Sequence, residues 1–355
     1  MRRIGLLAAA ATVLLFTFQP WQTASASGLR VTGSGMVANL GVQEALYPRY
    51  AGSLDTISYG SGDQVLLWHR ASGEASAFPL DFEYMRDMAW SLDGTKAAFA
   101  GYKSAKEGPV SPGIWIVGKD GNGFVEIAKP ADADTAYESP AWSPDGTKLA
   151  FTATHAALAD ETGVVYDRRV MVMNADGTGL IEVAKGSQPS WSRDSKQLAF
   201  TVGVADGISH EVWTADADGS KARKVAEGTS PSWSPAGPFL VYTKMRTEHR
   251  VLRKDAKGQM TFAADVTYQE LWAMNLEDGK QTRLTQSAFP QELVDRLLAE
   301  SDRRGDQSAV YAVSGMTSDE DAAWSPDGSR ILFTRNTTEE QGPHYTLQEL
   351  YVDYK

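Results

Sequence analysis

The chain has 355 residues, a formal charge of −11 and no cysteine. An acidic balance argues against nucleic acid as a partner, because phosphate binding needs a basic face, and it suits anionic lipid no better. Without thiols there is no disulfide, thiolate nucleophile or Cys-based zinc site, so stability must come from burial and backbone pairing.

The N-terminus reads as an export signal. Arg2 and Arg3 give a positive start, residues 4–18 are an apolar run, and Ala24-Ser25-Ala26 offers an A-x-A cleavage site. The run is shorter than the roughly 20 residues a membrane span needs. We therefore expect a cleaved signal over 1–26, an N-terminal segment over 27–44 and a repeat domain over 45–355. The mature protein is expected in the periplasm or secreted, with no transmembrane anchor.

A phrase beginning Trp-Ser recurs down the chain: WSLDGTKAAF at Trp90, WSPDGTKLAF at Trp142, WSRDSKQLAF at Trp191, WSPAGPFLVY at Trp233 and WSPDGSRILF at Trp324. Each tryptophan is followed nine residues later by an aromatic: Phe99, Phe151, Phe200, Tyr242 and Phe333. A worn sixth copy, YAGSLDTISY, runs from Tyr50 to Tyr59. Trp-Ser ends one strand, Pro-Asp-Gly is a tight turn, and the alternating T-K-L-A-F is a second strand with one buried face.

A second strand-turn-strand phrase follows each of the first five copies, as in IWIVGKDGNGFVEIA (114–128) and VMVMNADGTGLIEVA (170–184). Two hairpins per copy make a four-stranded antiparallel unit, strands A to D, which cannot bury both faces alone. Units of this kind repeating about every 40–50 residues indicate a β-propeller. The sequence thus predicts an all-β fold: a closed six-bladed propeller with a short helical insertion near 290–304. The last copy supplies only three strands, ending in LQELYVDYK, and residues 29–39 are expected to complete it and close the ring.

The W-S-P-D-G…F phrase followed by M-N-A-D-G-T resembles the TolB-like, PD40 (WD40-like) propeller repeats, over most of the chain from Tyr50 onward. The resemblance implies the six-bladed fold and an exported bacterial binding protein. The eponymous member is periplasmic and contacts a peptidoglycan-associated lipoprotein, and related propellers sit on serine peptidases.

Turn lengths predict two unlike faces. The A–B and C–D turns are short, whereas the B–C connections are long, at 101–113, 154–169, 203–210, 244–270 and 336–345. Long loops on a rigid scaffold usually carry binding. Leu293, Val294, Leu297 and Leu298 at helical spacing predict the insertion on this same rim.

A catalytic constellation is hard to find. His69, His155, His210, His249 and His344 are scattered with no H-x-x-H, and no G-x-S-x-G elbow occurs. Asp216-Ala217-Asp218-Gly219 resembles the start of a calcium loop, but the same turn recurs in sister copies without the distal Glu. It reads as a hairpin turn, and no metal or other cofactor is expected.

The residues just before each A strand surround one mouth of the central channel: Arg86, Asp87, Glu138, Gln188, Thr229, Ser230, Glu320 and Asp321. This ring is mostly acidic, with Arg86 as its one cation. Arg246, His249, Arg250 and Arg253 form a basic loop on the same face, an arrangement suited to steering a partner. Trp90, Trp142, Trp191, Trp233 and Trp324 are expected to pack between blades rather than bind ligand. The expected function is a non-enzymatic module recognising a protein or peptide of the cell envelope or extracellular space. The alternative is a secreted lyase or hydrolase acting on polysaccharide or peptide through rim carboxylates and histidines, with or without a metal.

Overall fold

The computed structural model describes residues 25–26, 28–41, 44–103, 111–159, 163–204, 209–254, 256–287, 310–339 and 342–354, with 295, 298, 299, 302 and 303. The Trp-Ser phrase folds as its side chains dictate. Ser91 Oγ donates to Asp93 Oδ1 at 2.6 Å, and Thr95 N donates to the same oxygen at 3.0 Å. Ser143–Asp145–Thr147 and Ser325–Asp327–Ser329 repeat this pattern. Gly94, Gly146 and Gly328 close these turns at positive φ; in the copy that lacks the glycine, Ser195 takes φ 59°. The copy at Trp233 lacks the acid, and its Ser234 Oγ lies 2.8 Å from Tyr354 Oη instead.

Strands β1 (Ser25–Ala26) and β2 (Leu29–Gly41) come first in the chain. A first sheet follows, of β3 (Leu46–Tyr50), β4 (Thr56–Ser61), β5 (Gln64–His69) and β6 (Glu74–Ala77). The second comprises β7 (Tyr84–Trp90), β8 (Lys96–Tyr102), β9 (Gly113–Gly118) and β10 (Val125–Ala128). The third comprises β11 (Thr135–Trp142), β12 (Lys148–Ala159), β13 (Gly163–Asn174) and β14 (Ile181–Lys185). In the fourth are β15 (Ser187–Trp191), β16 (Gln197–Gly203), β17 (His210–Asp216) and β18 (Arg223–Glu227).

The remaining strands are β19 (Thr229–Trp233), β20 (Phe239–Lys254), β21 (Met260–Asn275), β22 (Gln281–Arg283), β23 (Val310–Trp324), β24 (Arg330–Glu339) and β25 (Gly342–Tyr354). Together with β1 and β2 they form one nine-stranded sheet. The arrangement is a propeller of four-stranded sheets, but the separate ones number four, not six. The cause is a parallel pairing of β21 with β23, Ala263↔Val310 to Gln269↔Ser318, which fuses the four strands β19–β22 with the five strands β23–β25, β2 and β1. β2 runs antiparallel to β25 from Leu29↔Tyr354 to Gly41↔Tyr345.

The core lies between neighbouring groups. Tyr59, Phe99, Phe151, Phe200, Tyr242 and Phe333 are all 1% exposed or less. Each belongs to a different apolar cluster joining its own group to the one before it: Phe99 with Val65, Phe151 with Ile114, Phe200 with Val170, Tyr242 with Val212, Phe333 with Val241, and Tyr59 with Leu332. Burying such a ring contributes about 1.5–3 kcal/mol, and each aromatic adds it to a cluster of apolar residues drawn from both groups.

Three connections expected as loops are extended hairpins instead. β12 and β13 stay paired to Ala159↔Gly163, β20 and β21 to Lys254↔Met260, and β24 and β25 to Glu339↔Gly342. Their β-branched and aromatic residues let the antiparallel ladder continue past the body of the sheet. Every element with defined bounds is a strand; of the helical insertion expected near 290–304, residues 295, 298, 299, 302 and 303 are helical and the rest lies outside the described residues. Residues 1–24 of the expected signal also lie outside them, and its cleavage point falls directly after β1. No helix among the described residues is long and apolar enough to cross a membrane.

Candidate binding site at the channel mouth

Each A strand carries the same backbone irregularity. Tyr47, Asp87, Ser139, Gln188, Ser230 and Asp321, each three residues before Tyr50 or a repeat tryptophan, all have φ between 50° and 56°. At each of these points the strand slips register against its B strand. A non-glycine residue in this conformation costs about 1–2 kcal/mol. Neighbouring groups offset that cost by accepting from the bulged N–H. Asp87 Oδ2 accepts from Ser139 N at 3.1 Å and Asp321 Oδ2 from Tyr47 N at 3.2 Å. Thr152 Oγ1 accepts from Gln188 N and Thr201 Oγ1 from Ser230 N, both at 3.0 Å.

These six residues form the waist of the channel, since the same six line the cavity on either side of it. Toward the short turns is a cavity of about 240 Å³ walled by all five repeat tryptophans, Tyr50 and prolines 140, 189 and 231. Toward the long hairpins is a polar cavity of about 500 Å³. Arg86, Asp87, Glu138, Gln188, Thr229, Ser230, Glu320 and Asp321, read from sequence as the mouth, all line it, with Arg168, His210 and Gln269 from the hairpin side.

The cavity's electrostatics follow from carboxylates held close together with little water. Burial pushes Asp87 up to about 6, opposed by the Ser139 N–H and reinforced by Glu138 and Asp321. Burial likewise raises Glu320 to about 7, with Asp321 and Asp319 adding repulsion. Asp321 is raised by burial and relieved by Arg49. Arg49 itself is lowered by burial and sustained by Asp321 and Asp87. Its Nη1 donates to Pro48 O at 2.9 Å and to Asp321 O at 3.4 Å. Arg86 is therefore not the one cation here: Arg168 lines the same cavity and Arg49 stands at the waist. Tyr47 was missed because the first copy begins with Tyr50, where the other five carry tryptophan. Counting back three residues from Tyr50, as from each tryptophan, would have found Tyr47; Arg49 stands where the other copies carry alanine or serine, and no repeated signal marks it.

The other expected site residues lie apart from this cavity. Arg246 pairs with Glu248 and with Glu270, His249 Nδ1 lies 2.7 Å from Asp265, Arg250 pairs with Glu248 at 2.8 Å, and Arg253 pairs with Asp302 at 2.7 Å. They form an ion-paired hairpin, not an unopposed basic loop. Three of the five tryptophans donate to a neighbouring group: Nε1 of Trp90 to Ser58 Oγ at 2.9 Å, that of Trp191 to Ala141 O and that of Trp324 to Ser232 O, both at 3.1 Å. They also face the lower cavity. Asp216 to Gly219 is a hairpin turn closed by Gly219 N donating to Asp216 O at 2.9 Å.

Among solved structures, the chain resembles a protein assigned as TolB from Agrobacterium tumefaciens, with a TM-score of 0.52 and 14% identity over 88% of this chain and 91% of that one. The fold is TolB-like. The chain is also similar to hydrazine synthase from Kuenenia stuttgartiensis, with a TM-score of 0.50 and 13% identity over 91% of this chain and 44% of that one. A third likeness is to oligogalacturonate lyase from Vibrio parahaemolyticus, with a TM-score of 0.46 and 13% identity over 84% of this chain and 74% of that one. No protein-family model matches the sequence, and no curated protein does so significantly. At these identities the likeness is one of fold alone.

Proposed function

We propose that the protein is an exported, non-enzymatic binding module that receives a protein or peptide of the cell envelope at the channel mouth. The observation that carries this reading is the polar cavity itself. Residues from all six repeats converge on about 500 Å³ at the end of the molecule where the long hairpins rise. The reading takes the nine-stranded sheet as two blades of a six-bladed PD40-type ring, supported by the six equivalent bulges and the six inter-group clusters. Export to the periplasm or beyond rests on the signal-like N-terminus.

Affinity capture from the native envelope tests it, comparing wild type with an Arg86→Ala, Glu138→Gln, Glu320→Gln variant. These substitutions leave Asp87, Asp321 and Arg49 together at the waist. A specific partner held by wild type and lost by a folded variant is expected. Equal capture by both would remove the mouth from the interaction.

A further inference from the structure

One threonine breaks a repeated pattern. The residue after the buried aromatic is threonine in four copies, and three of these hold the next group. Thr152 and Thr201 accept from Gln188 N and Ser230 N, and Thr334 Oγ1 donates to Ala45 O at 3.0 Å. Thr243 is 4% exposed, yet its Oγ1 has no hydrogen-bond partner among the described residues. A buried hydroxyl left unsatisfied is costly and calls for an explanation.

Thr243 stands at a junction. It lines the polar mouth cavity and also a second cavity of about 550 Å³ between the fourth sheet and β20. His210, Thr229 and Gln269 line both as well, so the mouth continues outward as a radial groove. Val204 and Met245, 36% and 49% exposed, lip that groove.

The same residue ends a pairing. β20 is covered by β19 only up to Thr229↔Thr243, whereas its ladder with β21 runs on to Lys254. From Lys244 outward, no strand among the described residues pairs with that edge of β20. Lys244 and Met245, its first two residues, line the groove. An open strand edge presents alternating N–H and C=O groups, and the ligand that matches them is another polypeptide main chain.

We propose that the mouth cavity and this groove are one site, taking an extended segment of a partner protein that adds as a strand to the free edge of β20. The segment passes Thr243, whose hydroxyl gains its missing hydrogen bond, and sets an apolar side chain against Val204 and Met245. This deepens the function proposed above and rests on it: the partner enters as a strand and leaves between the fourth sheet and β20.

A phage-displayed library of random linear peptides, panned on the purified protein, tests this, with an oligosaccharide array probed in parallel. Enriched peptides are expected to bind Thr243→Val about tenfold or more weakly, the loss of a hydrogen bond a ligand makes in a desolvated site. Methylating alternate backbone nitrogens of the peptide should abolish binding. Thr243→Val should keep its melting temperature while Thr201→Val, which breaks the bond to Ser230 N, lowers it. Peptides that need Arg86, Glu138 and Glu320 but tolerate Thr243→Val and backbone methylation would overturn the strand-addition site and leave the mouth intact. Enrichment of no peptide, or binding to saccharides alone, would overturn both.

Discussion

Glu320 shows how one residue carries information that composition cannot. It lies at the mouth beside Asp321 and Asp319; Asp319 has Arg335 as its partner at 2.6 Å, but no cation within ion-pair distance of Glu320 is described. Its pKa of about 7 lies above the unfolded value, so the folded state binds the extra proton. The stability linked to that proton is full below about pH 4.5 and is lost as pH rises through about 7. Asp87, raised to about 6, acts in the same direction. The turn carboxylates, with Asp93 lowered to about 2 by its Ser91 and Thr95 hydrogen bonds, titrate below this window. The melting temperature should therefore fall between pH 5 and pH 8. Glu320→Gln should flatten that fall and gain on the order of 2–3 kcal/mol at pH 8. A pH profile identical to wild type would place Glu320 in water.

At the scale of elements, the turns of the Trp-Ser phrase are alike in backbone and unlike in surroundings. Gly94 and Gly146 close equivalent turns with φ of 65° and 71°. A Cβ on Gly94 would stand 2.5 Å from the Cα of Gly52, in the corresponding turn of the first sheet, whereas one on Gly146 would meet nothing within 4 Å. Gly146→Ala should thus cost only the conformational penalty of about 1 kcal/mol. Gly94→Ala must also move one backbone away from another, and should cost about 3 kcal/mol or more. Chemical denaturation of the two variants checks this; equal losses would show that the first two turns are not in contact. The glycine is legible in sequence at both sites, but only the packing of neighbouring sheets separates their roles.

At the scale of the molecule, the first sheet and the C-terminal strands meet at a buried carboxylate. Glu349 on β25 is fully buried and accepts from Tyr50 Oη at 2.7 Å, Arg70 Nη2 at 2.5 Å and Arg330 Nη1 at 3.2 Å. Tyr50 and Arg70 belong to the first sheet region, and Arg330 and Glu349 to the C-terminal strands, so the carboxylate ties the start of the repeat domain to its end. Removing one partner from a buried charge network typically costs about 3–5 kcal/mol. Glu349→Ala should lose about that much, read from denaturant unfolding, and should become sensitive to proteolysis near the first sheet. An unchanged unfolding midpoint would show that the seam is held by apolar contacts alone.

The sequence by itself determined what is local and repeated: the turn chemistry of Trp-Ser-x-Asp-Gly, the hairpins, the aromatic that buries itself in every copy, and the mouth residues a fixed distance before each tryptophan. These follow from residue type and spacing, so they survive without knowledge of the partner strands. The tertiary structure decided what depends on segments far apart in the chain. Long connections became hairpins because ladders could extend. β21 met β23 in parallel and joined two groups into one sheet. Arg49 came to stand between Asp87 and Asp321, at a position where no sister copy carries a charge. Thr243 lost the partner its sister threonines keep. Each of these is a matter of which backbone edge or charge is left over once the repeats are stacked, and repetition alone cannot say where the pattern will break.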